Sequence, residues 1–171
     1  RQRDLIYAVR DRLLEAGQMQ TGKVMEIAEG NIAHFLRADM DWPTLNRYIL
    51  DNISYRLEEG PADISDMESV RRFLLEKVEE GLKEQERRLG SRERMAEFMR
   101  AAVLDAIDSA WVEQVDYLQQ LQMAVSGRAT AQRNLVFEYQ DDAYESFRKM
   151  ERAVKKDVVR NILLSDVYVD R

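Results

Sequence analysis

The sequence predicts an all-α protein: one helix, a three-helix insert, and a long antiparallel hairpin of two helices. Three observations carry this. Punctuation is scarce, with two prolines and seven glycines in 171 residues, and both prolines (Pro43 and Pro61) fall within the first sixty-one residues. The remainder is rich in Leu, Ala, Glu, Arg, Lys, Gln and Met, the strong helix formers. Apolar residues recur at helical spacing throughout, and residues 91–126 contain no proline or glycine at all.

The first helix is expected in "RQRDLIYAVRDRLLEAG", where Leu5, Ile6, Val9, Leu13 and Leu14 share a face and Gly17 is a natural stop. "KVMEIAEGNIAHFLRAD" repeats the pattern through Val24, Ile27, Ile32, Phe35 and Leu36, with Gly30 inside it at some cost in helix stability. The third helix is expected from Asp41, able to cap, through Pro43 in the first turn, to a stop at Gly60-Pro61. Its stripe is Leu45, Tyr48, Ile49, Ile53 and Leu57. Ser65 followed by Glu68 is a capping-box pattern for a fourth helix running to Gly90. That helix ends in "EEGLKEQERRLG", which reads as a solvated, charge-dense face.

Ser91 then caps the long segment, which as a helix is roughly 50 Å long at about 1.5 Å per residue. Leu104, Trp111, Leu118 and Val125 recur every seven residues, with Ile107 and Leu121 at offset positions and Gln114 between them. This is a coiled-coil-like seam. The last helix is expected from about Val136 to Ser165, with Ala143, Phe147, Met150, Val154, Val158 and Ile162 as its stripe. Two long stripes joined by the short "GRATAQRN" turn pack as a helical hairpin. Its core is expected to hold Leu104, Ile107, Trp111, Leu118, Leu121 and Phe147.

Several functions are disfavoured. A net charge of −6 gives no footprint for general binding to nucleic acid or to an anionic membrane. There is no cysteine, so disulfides and thiolate metal sites are excluded. No apolar run is long enough to cross a bilayer, and no secretory signal is visible. Walker-type loops, GxGxxG, HExxH and GxSxG are all missing. His34 is the only histidine and cannot by itself anchor a usual zinc site. Glu58-Glu59 and Asp141-Asp142 read as solvating pairs, so no catalytic residue, cofactor site or metal site is assigned. "RKMERAVKKDVVR" concentrates Arg148, Lys149, Arg152, Lys155, Lys156 and Arg160 on one helix, a solvated basic face with anionic lipid as a minority partner. Because the chain opens on Arg1 within helical text, it is expected to be a piece excised from a longer protein.

"LDAIDSAWVEQVDYLQQLQMAVSGRATAQRNLVFEY" resembles the end of the helical scaffold in SecA-type protein translocase motors. The shared positions are Ile107, Asp108, Trp111, Glu113, Leu121, Arg128, Gln132, Glu138 and Tyr139, followed by Phe147. "QRDLIYAVRDRLL" resembles the long scaffold helix of the same motors through Gln2, Arg3, Ile6, Tyr7 and Arg10. The resemblance implies an organisation of 1–17 as the end of that helix, 18–90 as a helical wing, and 91–171 as the two-helix finger. It also implies that Gly127, Arg128, Ala129, Thr130, Ala131, Gln132 and Arg133 form a finger tip contacting a SecY-type channel and the translocating preprotein. From spacing alone, Arg128 and Arg133 could equally be capping the preceding helix.

The motors usually have Tyr where this chain has Thr130, His where it has Gln114, and Asp-Pro where it has Asn134-Leu135. These departures look more like the accessory SecA paralogues, which export glycosylated surface adhesins. On that resemblance the implied location is cytoplasmic, at the inner face of the membrane. ATP and Mg²⁺ belong to motor domains outside this sequence, and those domains are partners of this part. The alternative is a helical adaptor that binds a partner helix through an exposed apolar stripe on residues 1–17. A nucleic-acid binder using the basic helix is a third reading, disfavoured by overall acidity.

Overall fold

The computed structural model describes residues 2–14, 17–56, 59–127 and 135–167. The described residues form six helices and no strand: α1 (Gln2–Leu13), α2 (Thr21–Phe35), α3 (Trp42–Asn52), α4 (Met67–Leu89), α5 (Arg92–Gly127) and α6 (Leu135–Leu164). The fold is all-α, as the scarcity of helix breakers predicts.

Local chemistry explains the boundaries. Asp41 caps α3 by accepting the Thr44 amide at 2.8 Å, with Pro43 in the first turn. Gly90 ends α4 in the left-handed region (φ 90°), which a side chain would strain. Ser91 Oγ then accepts the Arg94 amide at 3.1 Å and opens α5.

Two boundaries differ from the sequence expectation. The cap of α4 is Asp66, which accepts the Glu68 amide at 3.1 Å. Ser65 instead turns back on Asp63, and Glu68 is taken up by Arg71, so no capping box forms. Helix α3 stops at Asn52 and does not reach Gly60. The Asn52 side chain donates back to the Tyr48 carbonyl at 3.0 Å, and the Ser54 amide reaches back to the Ile49 carbonyl at 2.9 Å. Both bonds close the last turn, and the chain then returns across the Trp42 ring. A Cβ at Gly60 would lie 2.9 Å from that ring. Leu57 lies outside the described residues.

One hydrophobic cluster draws on every helix. Ile6 and Val9 enter from α1, Val24 and Ile32 from α2, and Leu45 and Ile49 from α3. Val70, Leu74 and Val78 enter from α4, Met95, Met99 and Val103 from α5, and Val154, Val158 and Ile162 from α6. The charge-dense end of α4 is not wholly solvated. Leu82 and Gln85 are buried there, and Gln85 Nε2 donates to the carbonyls of Ile162 and Ser165, each at 2.8 Å. The α6 C-terminus leaves carbonyls without helical partners, and Gln85 supplies a donor to two of them. Gly81 lets the helices approach at this point, since a Cβ there would sit 2.8 Å from Leu163 Cδ2.

The apolar stripe of α1 is covered too. Ile6, Val9, Leu13 and Leu14 are buried, and only Leu5 of that stripe is exposed. Arg12 reaches Glu151 on α6 at 2.6 Å, and Arg100 on α5 donates to the Gly17 carbonyl at 2.8 Å. The adaptor reading required an uncovered stripe on these residues and loses that support.

Candidate functional site

The most extensive helix pairing in the molecule is α5 against α6. The groove between them is lined by Ala110, Gln114 and Tyr117 on one side and by Met150, Ser146 and Asp142 on the other. Across the groove, Gln114 on α5 meets Ser146 on α6.

The buried face of α5 differs in register from the heptad expected. Met95, Met99, Val103, Ala106, Ala110 and Gln114 are buried. Of the residues expected in the core, Ile107 and Phe147 are buried. Leu104 and Trp111 are half-buried against the edge of the cluster, and Leu118 and Leu121 are half-buried further out. The heptad pattern follows the largest side chains, whereas the buried face includes Ala102, Ala106 and Ala110, with bulky Leu104 and Trp111 packed at its edge. The α6 stripe of Ala143, Phe147, Met150, Val154, Val158 and Ile162 is buried throughout.

Gln114 is the last buried residue of α5 among those described. Its Nε2 donates to Ser146 Oγ at 3.1 Å, and that hydroxyl donates to the Ala143 carbonyl at 2.8 Å. A buried amide without such partners costs about 1–3 kcal/mol, so this bridge also fixes where the two helices meet. From Gln114 to Gly127, α5 continues for about 20 Å. Tyr117 and Met123 on that extension are exposed, Met123 at 76%, as are Val112 just before it and Tyr144 on α6. The expected tip begins at Gly127, the last residue of α5. Arg128, Ala129, Thr130, Ala131, Gln132 and Arg133 lie outside the described residues.

Electrostatics vary along α6. Arg148, Lys149, Arg152, Lys156 and Arg160 are exposed. Burial lifts the Asp157 carboxyl above its usual range, while Arg160 and Lys156 pull it down and Glu113 adds to the rise. Burial likewise pushes the Tyr48 hydroxyl up to about 12. Among the described residues no cluster of His, Asp and Glu could hold a metal ion, and His34 is exposed. No helix among them is long and apolar enough to cross a membrane.

The described residues form a helical scaffold around one hydrophobic cluster. Residues 1–166 match the family described as the SecA wing and scaffold domain, and the chain belongs to that family. It is 36% identical over 172 residues to protein translocase subunit SecA 2 of Streptococcus agalactiae serotype V, a match covering 97% of this chain and 21% of that protein. It is 35% identical over 174 residues to protein translocase subunit SecA 2 of Staphylococcus aureus strain Newman, covering 99% of this chain and 22% of that protein. The chain therefore spans about a fifth of the length of these relatives.

Proposed function

We propose that this chain is the scaffold, wing and two-helix-finger part of an accessory SecA-type motor that drives protein export. In this reading 1–17 end the long scaffold helix, 18–90 form the wing, and 91–171 form the finger. The turn at 127–133 engages a SecY-type channel and the preprotein passing through it, and a glycosylated surface adhesin is one such cargo. Nucleotide and Mg²⁺ are handled by other domains of the parent, and this part transmits their motion without catalysis. It works in the cytoplasm, against the inner face of the membrane.

The observation that carries the reading is the extension of α5 past its last buried residue, with exposed apolar side chains along it. Exposed apolar side chains on the outer part of a helix suit a partner surface. Photo-crosslinkers placed at Arg128 and Thr130 in the full-length parent test this. Adducts with the channel and with a stalled preprotein are expected during export. Adducts confined to the motor's own domains would sink the finger-tip assignment.

A further inference from the structure

A second surface lies along the middle of α6. Helices α1, α2, α3 and α6 line a groove of about 620 Å³, within the range of sites that hold a ligand or a segment of chain. Its apolar lining includes Val9, Ile27, Phe35 and Tyr48, and the last two rings stack at 4.0 Å. Its rim is cationic in a chain that is acidic overall. The two rim carboxylates are already engaged, Glu151 by Arg12 at 2.6 Å and Glu26 by Lys23 at 3.7 Å. Arg152, Lys155 and Lys156 also line the groove and form no ion pair among the described residues, Lys156 having only a longer-range attraction to Asp157.

Gly30 points to the groove being kept open. It lies in the interior of α2, lines the groove, and has an ordinary helical backbone. A Cβ added there would meet nothing within 4 Å. Neither backbone conformation nor packing therefore requires glycine, and in a helix interior it is less stable than alanine. What the missing side chain does is leave the groove unfilled.

We propose that this groove binds an acidic polypeptide segment, seating its apolar side chains on the half-buried Phe35 and Tyr48 and its carboxylates against Arg152, Lys155 and Lys156. The three cations occupy one face of α6 at i, i+3 and i+4, which suits carboxylates repeated along a chain. Charge-assisted hydrogen bonds to these groups orient the segment, and the floor supplies burial. A bilayer is a poor fit to a concave floor between helices.

Fluorescence anisotropy on the 171-residue chain tests the proposal. The probe is a labelled peptide with leucines at helical spacing and glutamates flanking them, compared with a twin in which every glutamate is glutamine. The acidic peptide is expected to bind at least about tenfold more tightly than its twin, a difference of about 1.4 kcal/mol. Arg152→Glu with Lys156→Glu is expected to abolish that preference. Lys149→Glu, on the same helix but lining the α5–α6 groove, is expected to preserve it. Gly30→Leu fills the groove without touching its charge and is expected to weaken both peptides while the melting temperature holds or rises. Equal binding of the twins, equal loss on Lys149→Glu, or unchanged binding to Gly30→Leu each overturns the proposal. So does Gly30-dependent binding to phosphatidylglycerol vesicles in the absence of peptide binding.

Discussion

Gly30 and Gly81 both interrupt helices, yet their surroundings are opposite. Open space surrounds Gly30, whereas Gly81 faces Leu163 at a separation no side chain tolerates without movement. Gly30→Ala is therefore expected to stabilise the chain by about 1 kcal/mol, the helix-propensity difference. Gly81→Ala is expected to lose that gain to the displaced Leu163. Thermal melts of the two variants, side by side, check the contrast. Gln85 makes two bonds to the end of α6 from a buried position, so Gln85→Met is expected to cost about 1–3 kcal/mol despite similar shape. Asp157 supplies a pH test. Its native carboxyl holds a proton more tightly than the unfolded one does, so it weakens the fold as pH rises from its unfolded value near 3.8. Asp157→Asn is expected to raise the melting temperature at pH 7, with the gain vanishing below that value. A gain that persists in acid would show that the carboxylate's charge is not the cause.

At the scale of the helix, α5 holds the clearest test of packing. Met99→Ala removes a fully buried side chain and is expected to cost about 2–5 kcal/mol. Leu118→Ala removes a half-buried one and is expected to cost about 1 kcal/mol or less, within the common range for point variants. Denaturant midpoints that ranked the two in the other order would restore the heptad register read from the sequence. That misreading has a physical origin. Periodicity weighted by size finds Leu104, Trp111 and Leu118, while the buried face includes Ala102, Ala106 and Ala110, which no hydrophobic pattern distinguishes from surface alanines. Helix existence and most ends were legible because Asp41, Gly90 and Ser91 act through local chemistry. The early stop of α3 was not, because it depends on the Asn52 side chain turning back and on the loop crossing Trp42. The cationic groove was half legible. Arg152, Lys155 and Lys156 stand together in the sequence, but their meeting with α1 and α2 is purely tertiary.

For the molecule as a whole, the covered stripe of α1 and the shared core make the six helices one body. Within the full-length parent, Arg128→Ala with Thr130→Ala is expected to reduce export while the isolated chain changes stability by no more than about half a kcal/mol. Normal export with a lowered melting temperature would assign Arg128 to helix capping instead. Nucleotide added to this chain alone is expected to give no saturable heat, since it carries no phosphate-cradling loop.

The position of Gln114 also has a kinetic consequence. The part of α5 before it carries side chains buried in the shared core, so exchange of its backbone amides with deuterium should require opening of that core. Those between 115 and 127 lie beyond it, where Leu118 and Leu121 are only half-buried, and are expected to fray while the core stays closed. Mass spectrometry of exchange should therefore find two regimes in one continuous helix, with the break at the glutamine. Anything that grips the outer segment should merge them, so protection there reports occupancy without a label.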